Sequence, residues 1–590
     1  MPLLAGSAIF EHLDAASRAF VGEHLEAQTV PAGTVLMRQG EPADSLYLVA
    51  LGRLRVVVTH DDGTAQVVAE LGRGDVVGEM ALVADEPRSA TVTALRDSSV
   101  LRLSREVFAE LVERDPAVLR LVTTEAVRRL VHTLREGNPS RPVTTLAIVP
   151  LGADPALADW GRRLQRVLRR SVATAELVTR TAAEADLGAL GTPGQDDSHR
   201  LARWFAEQEP AADLVCYLAD HEPTPWAEAC VHHADLVLLV GNAGEDPSPR
   251  PVEQLLATTG ARTELVLLHP SHREDPRGTR RWLDPRSVDR HHHVRVDREA
   301  DVERVGRLVR GRGIGLVLSG GGARGLAGIG VLRALEEHGV PVDACGGTSI
   351  GSIVAGGAAR GMDPAAVVAL MRAAVVDTSP FDVTFPVVSL AAGRRVTRRI
   401  REAAAGLDLE DAWRSLFAVS ANLTTGGVHV HRRGPGWHAL RASFSVPGVF
   451  PPVRSAEGDL LVDGGVLDNL PVGVMRGEHD GITVIAVDVT RARDLTGGSL
   501  PAGGAVSGWS LLLERLRARR PEAGAGLGGI LMRVAELGGD RGGDRGDVCV
   551  RPAVDDFGIA DFKAIDQLVE LGRGEAGRVL DEWLSGRGRF

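Results

Sequence analysis

Residues 347–351 read Gly-Thr-Ser-Ile-Gly, between a predicted strand at 340–345 and a small-residue helix predicted over 352–359. This strand–turn–helix context is the one that a nucleophile elbow requires, because flanking glycines leave room for a sharp turn and a closely packed helix. The motif alone is a weak signal, and an ordinary tight turn is the alternative interpretation. Its context makes Ser349 the predicted nucleophile.

A glycine-rich segment precedes the elbow. Residues 314–318 predict a buried strand, and the glycines after them lead into a helix predicted over 326–338. Glycines let the backbone approach a ligand, and a helix N-terminus favours negative charge. In acyl transfer that charge is the developing oxyanion. The predicted oxyanion hole consists of Gly320, Gly321, Gly322 and Arg324, where the arginine could instead pair with a phosphate headgroup.

The same glycines also spell the dinucleotide-binding pattern G-x-G-x-x-G. That motif requires an acidic residue at the end of the second strand, about 20 positions further on. Asp343 falls near this distance, but it precedes the strand end, which residues 345–349 occupy. The second half of the dinucleotide motif is therefore missing.

Asp463 opens an Asp-Gly-Gly stretch at residues 463–465 and is the predicted catalytic base. A Ser…Asp…His triad would need a histidine after the aspartate. The only one is His479, in a polar stretch that predicts a solvent-facing turn. A Ser349–Asp463 dyad is the simpler interpretation, with a plain turn at residues 463–465 as the alternative.

These motifs, joined by residues 445–452 (Ser-Val-Pro-Gly-Val-Phe-Pro-Pro), resemble the patatin-like phospholipase family. The resemblance implies Ser349 as nucleophile, Asp463 as its partner and residues 320–322 as the oxyanion loop. It also implies hydrolysis of carboxylic esters in phospholipids or lysophospholipids. The sequence departs from the pattern at Gly328, where many relatives have a histidine.

The N-terminal segment, residues 1–135, predicts an antiparallel β module with strands at 45–49, 54–60, 65–71 and 100–103. Residues 78–90 resemble the phosphate-binding cassette of cyclic-nucleotide-binding domains. The implied contact residues are Gly78, Glu79, Met80, Arg88, Ser89 and Ala90. A carboxylate can accept from a ribose hydroxyl and a guanidinium can bind the cyclic phosphate. Cyclic AMP and cyclic GMP both remain open, as does a roll without ligand in which Glu79 and Arg88 pair on the surface.

The middle segment predicts alternating strands and helices without a Walker lysine motif. Its strands are predicted at 146–149, 214–218, 236–240 and 265–268, with core-facing helical stripes at 164–168 and 226–234. The three histidines at 291–293 lack metal-ligand spacing and predict a structural or solvated role. The order of the segments resembles the neuropathy target esterase group of patatin-like proteins, which implies a preference for lysophospholipids.

The fold class that follows is multidomain. It comprises an N-terminal β-roll at 1–135, an α/β Rossmann-like middle at 140–310, an α/β patatin-like hydrolase domain at 311–485 and a C-terminal extension at 486–590. Residues 497–546 predict flexible or lid-like connections around a helix at 511–516, and 555–584 predict helix packed on the catalytic sheet.

Amino-acid composition and net charge limit the classes of protein and of binding partner that the sequence predicts. Four scattered cysteines argue against a disulfide scaffold. The sequence predicts neither a signal peptide nor a membrane span. The net charge of −11 argues against nucleic acid and strong electrostatic docking on anionic lipid, so membrane contact is expected locally, through apolar residues around the active site.

The expected location is the cytoplasm, with peripheral contact at the inner membrane face, and no catalytic cofactor or metal is predicted. The main alternative function is a cyclic-nucleotide sensor whose hydrolase domain binds lipid or a protein partner. An acyltransferase is a further alternative.

Overall fold

The computed structural model describes residues 13–60, 62–136, 143–190, 200–201, 204–205, 208, 212–377, 379–490 and 544–586. The chain divides into two compact units. One contains residues 1–273 and 281–311, and the other contains residues 274–280 and 312–590. The predictions for residues 497–543, including the helix at 511–516, lie outside the described part. No helix within the described ranges is long and apolar enough to cross a bilayer.

The first unit begins with a β-roll of two four-stranded antiparallel sheets, ordered β1-β8-β3-β6 and β2-β7-β4-β5 among the described strands. Its elements are α1 (Ala15–His24), β1 (Glu26–Val30), β2 (Val35–Met37), β3 (Ser45–Leu51), β4 (Arg53–Thr59), β5 (Ala65–Gly72), β6 (Val76–Val77), α2 (Glu79–Ala84), β7 (Thr91–Ala94), β8 (Ser98–Ser104), α3 (Arg105–Arg114) and α4 (Ala117–Glu136). The four predicted strands are confirmed as β3, β4, β5 and β8. Leu48, Leu54 and Leu103 are fully buried between the sheets and helices.

The middle of the chain is a parallel sheet with helices on both faces. Its described strands follow the order β10-β11-β9-β12-β13-β14. The elements are β9 (Thr145–Pro150), α5 (Pro155–Leu168), β10 (Ala175–Thr179), α6 (Arg180–Leu187), β11 (Leu214–Leu218), α7 (Pro225–His233), β12 (Leu236–Asn242), β13 (Arg262–His269), α8 (Thr279–Leu283), β14 (Arg290–Arg295) and α9 (Glu299–Val309). Trp160 and Trp226 anchor separate apolar clusters.

The roll and the middle sheet are joined through a buried carboxylate at the start of β12. Asp235 pairs with Arg53 at 3.2 Å and with Arg96 at 3.0 Å, both from the roll. Its other oxygen accepts the Thr144 N–H at 2.9 Å. Burial by itself would raise the pKa of Asp235, but the two guanidinium groups and the hydrogen bonds hold it below its usual range.

The second unit is built on a mixed sheet ordered β19-β20-β17-β16-β15-β21-β22, with β18 also paired to β17, as far as the chain is described. Strands β15, β16, β17, β21 and β22 are parallel. The elements are β15 (Ile314–Leu318), α10 (Ala327–Glu337), β16 (Ala344–Thr348), α11 (Ile350–Ala359), α12 (Pro364–Met371), α13 (Arg394–Ala404), β17 (Ser415–Asn422), β18 (Val428–His431), α14 (Gly436–Ser443), β19 (Val453–Arg454), β20 (Leu460–Asp463), α15 (Val472–Glu478), β21 (Thr483–Val487), β22 (Val548–Val550) and α16 (Ile565–Gly586).

Two glycines allow α16 to cross α10 at very short range. A Cβ on Gly330 would lie 1.9 Å from Val569 O, and one on Gly572 would lie 1.9 Å from Ala327 O. The two backbones are therefore almost in contact. The predicted helix at 555–584 is confirmed from Ile565 onwards, where it packs on α10, whereas residues 555–564 form turns and a short 3-10 turn.

Candidate active site

Ser349 lies on a sharp turn between β16 and α11, at the carboxyl end of the parallel strands. Its backbone has φ 54° and ψ −128°, which residues with side chains rarely adopt. A Cβ on Gly347 or Gly351 would lie 2.6 or 2.4 Å from the carbonyl oxygen of Leu318. The two glycines are needed because strand β15 passes this close to the turn, as the elbow motif predicts.

Strand register brings Asp463 to the serine. Thr348 pairs with Val419 on β17, and Asp463 pairs with the next residue, Ser420. A Cβ on Gly464 would lie 2.4 Å from Val419 O and 3.0 Å from Thr348 Cγ2. The ends of β16 and β20 thus meet at one point of β17.

The two side chains form a small buried polar pair. Ser349 Oγ and Asp463 Oδ2 are buried without a hydrogen-bond partner in the described structure. Burial raises the pKa of Asp463 to about 6, although the nearby Ser349 hydroxyl and the Gly465 N–H both act to lower it. That N–H donates to Asp463 Oδ1 at 2.9 Å. Asp463 is therefore a stronger base than an ordinary aspartate and is still mostly ionised at neutral pH.

The glycine loop lies directly beside the serine. A Cβ on Gly320 would come within 3.1 Å of Ser349 Cβ, and one on Gly321 within 2.7 Å of Val489 Cγ2. Gly322 has φ 59°, and a Cβ there would lie 2.4 Å from Ile559 O. Residues 320–322 therefore have space only for glycine.

Arg324 follows on a short 3-10 turn and is fully buried. Its Nε donates to the carbonyl oxygen of Gly321 at 3.3 Å. The side chain thus supports the backbone of the loop. Its burial does not fit the alternative that it meets a phosphate headgroup at the surface.

Three further residues hold the site together, and the sequence did not predict this role for them. Ser443 Oγ accepts the Ser349 N–H at 2.9 Å, and Ser445 O accepts the Asp463 N–H at 2.9 Å. Asn469 O accepts the Gly320 N–H at 3.3 Å. Each contact joins separate parts of the chain, so the local pattern does not reveal these supporting roles, although Ser445 opens the motif at 445–452.

The predicted solvent-facing position of His479 is wrong. His479 is buried at the end of α15, shortly before β21 begins. Because β21 runs parallel to β15 and β16, His479 lies near the amino ends of the strands and Ser349 at their carboxyl ends. A five-residue strand separates the two edges by roughly 17 Å.

The strand predicted at 340–345 begins later than expected, at Ala344. The Val340 N–H bonds back to Leu335 O instead of a neighbouring strand, and Pro341 has no N–H to donate. Asp343 accepts the Ile314 N–H at 2.9 Å through its buried carboxylate. Its role is structural, so the dinucleotide interpretation finds no support here.

The predicted nucleotide cassette folds as a turn at Gly78 (φ 86°) followed by the short helix α2. Arg88 is buried and donates to Gly78 O and Asp44 Oδ1, each at 3.2 Å. Glu79 is also buried, so a surface pair of Glu79 with Arg88 is wrong. Of the remaining cassette residues, Met80 and Ser89 are exposed and Ala90 is buried.

The three histidines at 291–293 lie on β14, a strand that was not predicted. His292 Nε2 lies 2.8 Å from Glu264 Oε2, and His293 Nδ1 lies 2.9 Å from His269 Nε2. His292 and His293 are buried, which agrees with a structural role. No group of three or more His, Cys, Asp or Glu side chains in the described ranges is placed to hold a metal.

Three family models match consecutive parts of the chain. Residues 27–115 match the cyclic nucleotide-binding domain, residues 142–312 the neuropathy target esterase family P-loop like domain, and residues 316–476 the patatin-like phospholipase. The last match contains both Ser349 and Asp463. The second unit therefore contains the fold of a patatin-like phospholipase.

Three relatives match the chain over nearly all of its length. Patatin-like phospholipase domain-containing protein 7 of Rattus norvegicus is 31% identical over 95% of this chain and 46% of its own length. Patatin-like phospholipase domain-containing protein 6 of Mus musculus is 32% identical over 94% and 45%, and lysophospholipase NTE1 of Mycosarcoma maydis is 31% identical over 95% and 34%. The chain spans less than half the length of these relatives. In the order of its three matched domains, the chain is similar to the neuropathy target esterase group of patatin-like proteins.

Proposed function

We propose that the protein is a serine esterase that hydrolyses carboxylic esters of phospholipids or lysophospholipids through a Ser349–Asp463 dyad. The observation that carries the proposal is the buried pair of Ser349 Oγ and Asp463 Oδ2, neither with a hydrogen-bond partner within the described residues. Buried polar atoms are nearly always paired, and a catalytic role is one explanation for an exception. The lipid class is taken from the names of the relatives, one of which is a lysophospholipase.

In the proposed reaction Asp463 accepts the proton of Ser349 Oγ as the oxygen attacks the ester carbonyl carbon. The carbonyl oxygen becomes an oxyanion, which backbone N–H groups of the glycine loop stabilise. Because Gly320 already donates its N–H to Asn469 O, Gly321 and Gly322 are the proposed donors. The lipid alcohol leaves with the proton from Asp463, and an acyl-enzyme remains.

In the second half of the reaction Asp463 removes a proton from water, which attacks the acyl carbonyl carbon. The bond to Ser349 Oγ then breaks, the serine recovers the proton, and the fatty acid leaves. The raised pKa of Asp463 suits both steps, since the group must accept and return a proton near neutral pH.

The test is fatty-acid release from lysophosphatidylcholine, together with labelling by a fluorophosphonate probe. Ser349→Ala should lose both labelling and at least about 1000-fold in rate, because the nucleophile is removed. His479→Gln is the matched control and should keep the rate within a few-fold, since His479 lies at the opposite edge of the sheet. Full activity of Ser349→Ala would disprove the dyad, and loss in His479→Gln would favour a triad.

We also propose that the N-terminal roll binds cyclic AMP or cyclic GMP and that binding regulates the esterase. Arg88 would bind the cyclic phosphate by exchanging its bond to Asp44, while Glu79 would accept from the ribose and Ser89 would donate to the phosphate. Gly78 and Met80 would add backbone N–H groups, and Ala90 would line the pocket. The match of residues 27–115 to the family model of the cyclic nucleotide-binding domain supports this proposal.

Calorimetric titration of the whole chain with each nucleotide tests the regulatory proposal. Arg88→Gln should weaken binding at least about tenfold, as expected for the loss of a charge-assisted hydrogen bond, whereas the exposed Arg73→Gln should have no effect. No binding of either nucleotide to the wild-type chain would make the roll a scaffold. Nucleotide binding without serine-dependent ester hydrolysis would instead support the alternative of a cyclic-nucleotide sensor whose hydrolase domain binds lipid or a protein partner.

We further propose that the protein works at the cytoplasmic face of a membrane by peripheral contact. The proposal follows from the substrate, because phospholipids are presented in bilayers.

A further inference from the structure

An apolar hairpin, residues 383–391, projects from the catalytic unit between α12 and α13. The isolated bridge between Val383 and Ala391 closes it, and the Thr384 N–H donates to Leu390 O at 3.1 Å. The hairpin holds the most exposed large apolar side chains of the described structure. Val383 is 87% exposed, Phe385 83% and Val387 79%.

The hairpin has a defined base. Its Leu390 and Ala391 N–H groups donate to Gly448 O and Val449 O at 2.8 and 2.9 Å. Phe381, two residues before the hairpin, stacks on Phe450 with ring centroids 5.6 Å apart. The tip is therefore held away from the core on a fixed support.

That support leads directly to the active site. Residues 443–450 contact the hairpin at their C-terminal end, through Gly448 and Val449. At their N-terminal end, Ser443 Oγ accepts the Ser349 N–H and Ser445 O accepts the Asp463 N–H. One short segment thus joins the exposed apolar tip to both members of the dyad.

Positive charge begins where the hairpin ends. The Asp382 carboxylate accepts the N–H groups of Gly393 and Arg394 at 2.8 and 2.9 Å, which fixes the start of α13 beside the hairpin base. Helix α13 then presents three exposed guanidinium groups, from Arg394, Arg395 and Arg398. This local charge is opposite in sign to the net charge of the whole chain, −11.

We propose that the hairpin inserts into a phospholipid bilayer while the arginines of α13 contact the phosphate groups. The occupant is a lipid surface because apolar side chains at a tip, with arginines at its base, match the order of acyl chains and phosphates in a leaflet. A protein partner or a second copy of the chain would require no such order. The inference rests on the proposed function, because insertion of the hairpin would place the proposed active site at the surface that holds the lipid substrate.

The test measures binding in the Ser349→Ala background, so that no lipid is hydrolysed. The full chain is sedimented with vesicles of phosphatidylcholine alone or mixed with phosphatidylserine. Phe385→Ser with Val387→Ser should lower the partition coefficient at least about tenfold on both vesicle types, since two apolar side chains no longer enter the bilayer. Phe385→Leu with Val387→Leu is the matched control and should keep most of the binding.

The charge is tested separately with Arg394→Gln, Arg395→Gln and Arg398→Gln. Each substitution should weaken binding about fivefold on vesicles that contain phosphatidylserine and much less on phosphatidylcholine alone. Thermal unfolding midpoints should stay unchanged, because every substituted side chain is exposed.

If Phe385→Ser with Val387→Ser leaves vesicle binding equal to that of the chain with the unchanged hairpin, the inference is overturned. The inference would also be overturned if the chain forms a dimer and Phe385→Ser with Val387→Ser dissociates that dimer without changing vesicle binding. That result would assign the hairpin to self-association. Because the assay measures binding alone, a failure of the esterase proposal would leave this result readable.

Discussion

At the scale of single residues, Ser349 combines backbone strain with close support. A residue held in this region of φ and ψ costs roughly 1–3 kcal/mol of folding free energy. The conformation is maintained because Ser352 donates both its N–H and its Oγ hydrogen to Ser349 O, at 3.0 and 2.6 Å. In this conformation the Ser349 hydroxyl lies beside the carboxyl group of Asp463.

The pKa of Asp463 leads to a prediction for the pH dependence of activity. The carboxylate must be ionised to accept the serine proton, so the rate should rise with pH and reach half of its plateau near pH 6. The measurement is kcat/KM for a soluble ester between pH 4 and pH 8. A rate that is flat down to pH 4 would show that a group with an ordinary carboxyl pKa, or none, controls the reaction.

The same pKa predicts that Asp463→Asn stabilises the protein. The folded pKa of about 6 lies above the reference value of 3.8, so the neutral form is favoured in the fold, and stability is lost as pH rises between these values. At pH 7 the asparagine variant should be inactive but more stable by up to about 3 kcal/mol.

Denaturant unfolding of Asp463→Asn and wild type at pH 7 and at pH 4 is the required measurement. The difference in unfolding free energy should nearly disappear at pH 4, where the aspartate is largely protonated in the folded protein. An equal difference at both pH values would mean that packing, and not ionisation, causes the change.

At the scale of elements, the crossing of α10 and α16 predicts a sharp contrast between two glycines of one helix. Gly572→Ala should destabilise the catalytic unit by roughly 2–4 kcal/mol, because its Cβ would collide with Ala327 O and force the helices apart. Gly574→Ala meets no atom within 4 Å and should be neutral or stabilise by up to about 1 kcal/mol. Thermal unfolding checks both, and equal effects would contradict the close crossing.

The sequence predicted the elements that local pattern determines. The glycines at 347 and 351 and the apolar run at 314–318 were sufficient for the elbow and its neighbouring strand. Strand β14 was not predicted because charged and histidine side chains replace the usual apolar run, and its burial depends on pairing with β13. Ser443 and Asn469 were not identified because their contacts are made only after distant segments pack together.

At the scale of the whole chain, Asp235 is predicted to hold the roll on the middle sheet. Asp235→Asn should lower the unfolding free energy of the first unit by about 3–5 kcal/mol, because two buried arginines each lose a buried carboxylate partner. Glu303→Gln removes an exposed pair with Arg170 and should cost at most about 1 kcal/mol. Limited proteolysis and thermal unfolding compare the two variants, and similar losses would show that the buried pair contributes no more than a surface one.

The glycine loop depends on a contact with Ile559, a residue that is synthesised long after the loop itself. Ile559 O accepts the Ala323 N–H at 2.8 Å and lies directly against Gly322. The ribosome makes the serine, the aspartate and the loop long before it reaches Ile559. A nascent chain therefore carries Ser349 and Asp463 while its glycine loop still lacks the Ile559 contact, so we expect the proposed ester hydrolysis to begin only after residue 559 has been added.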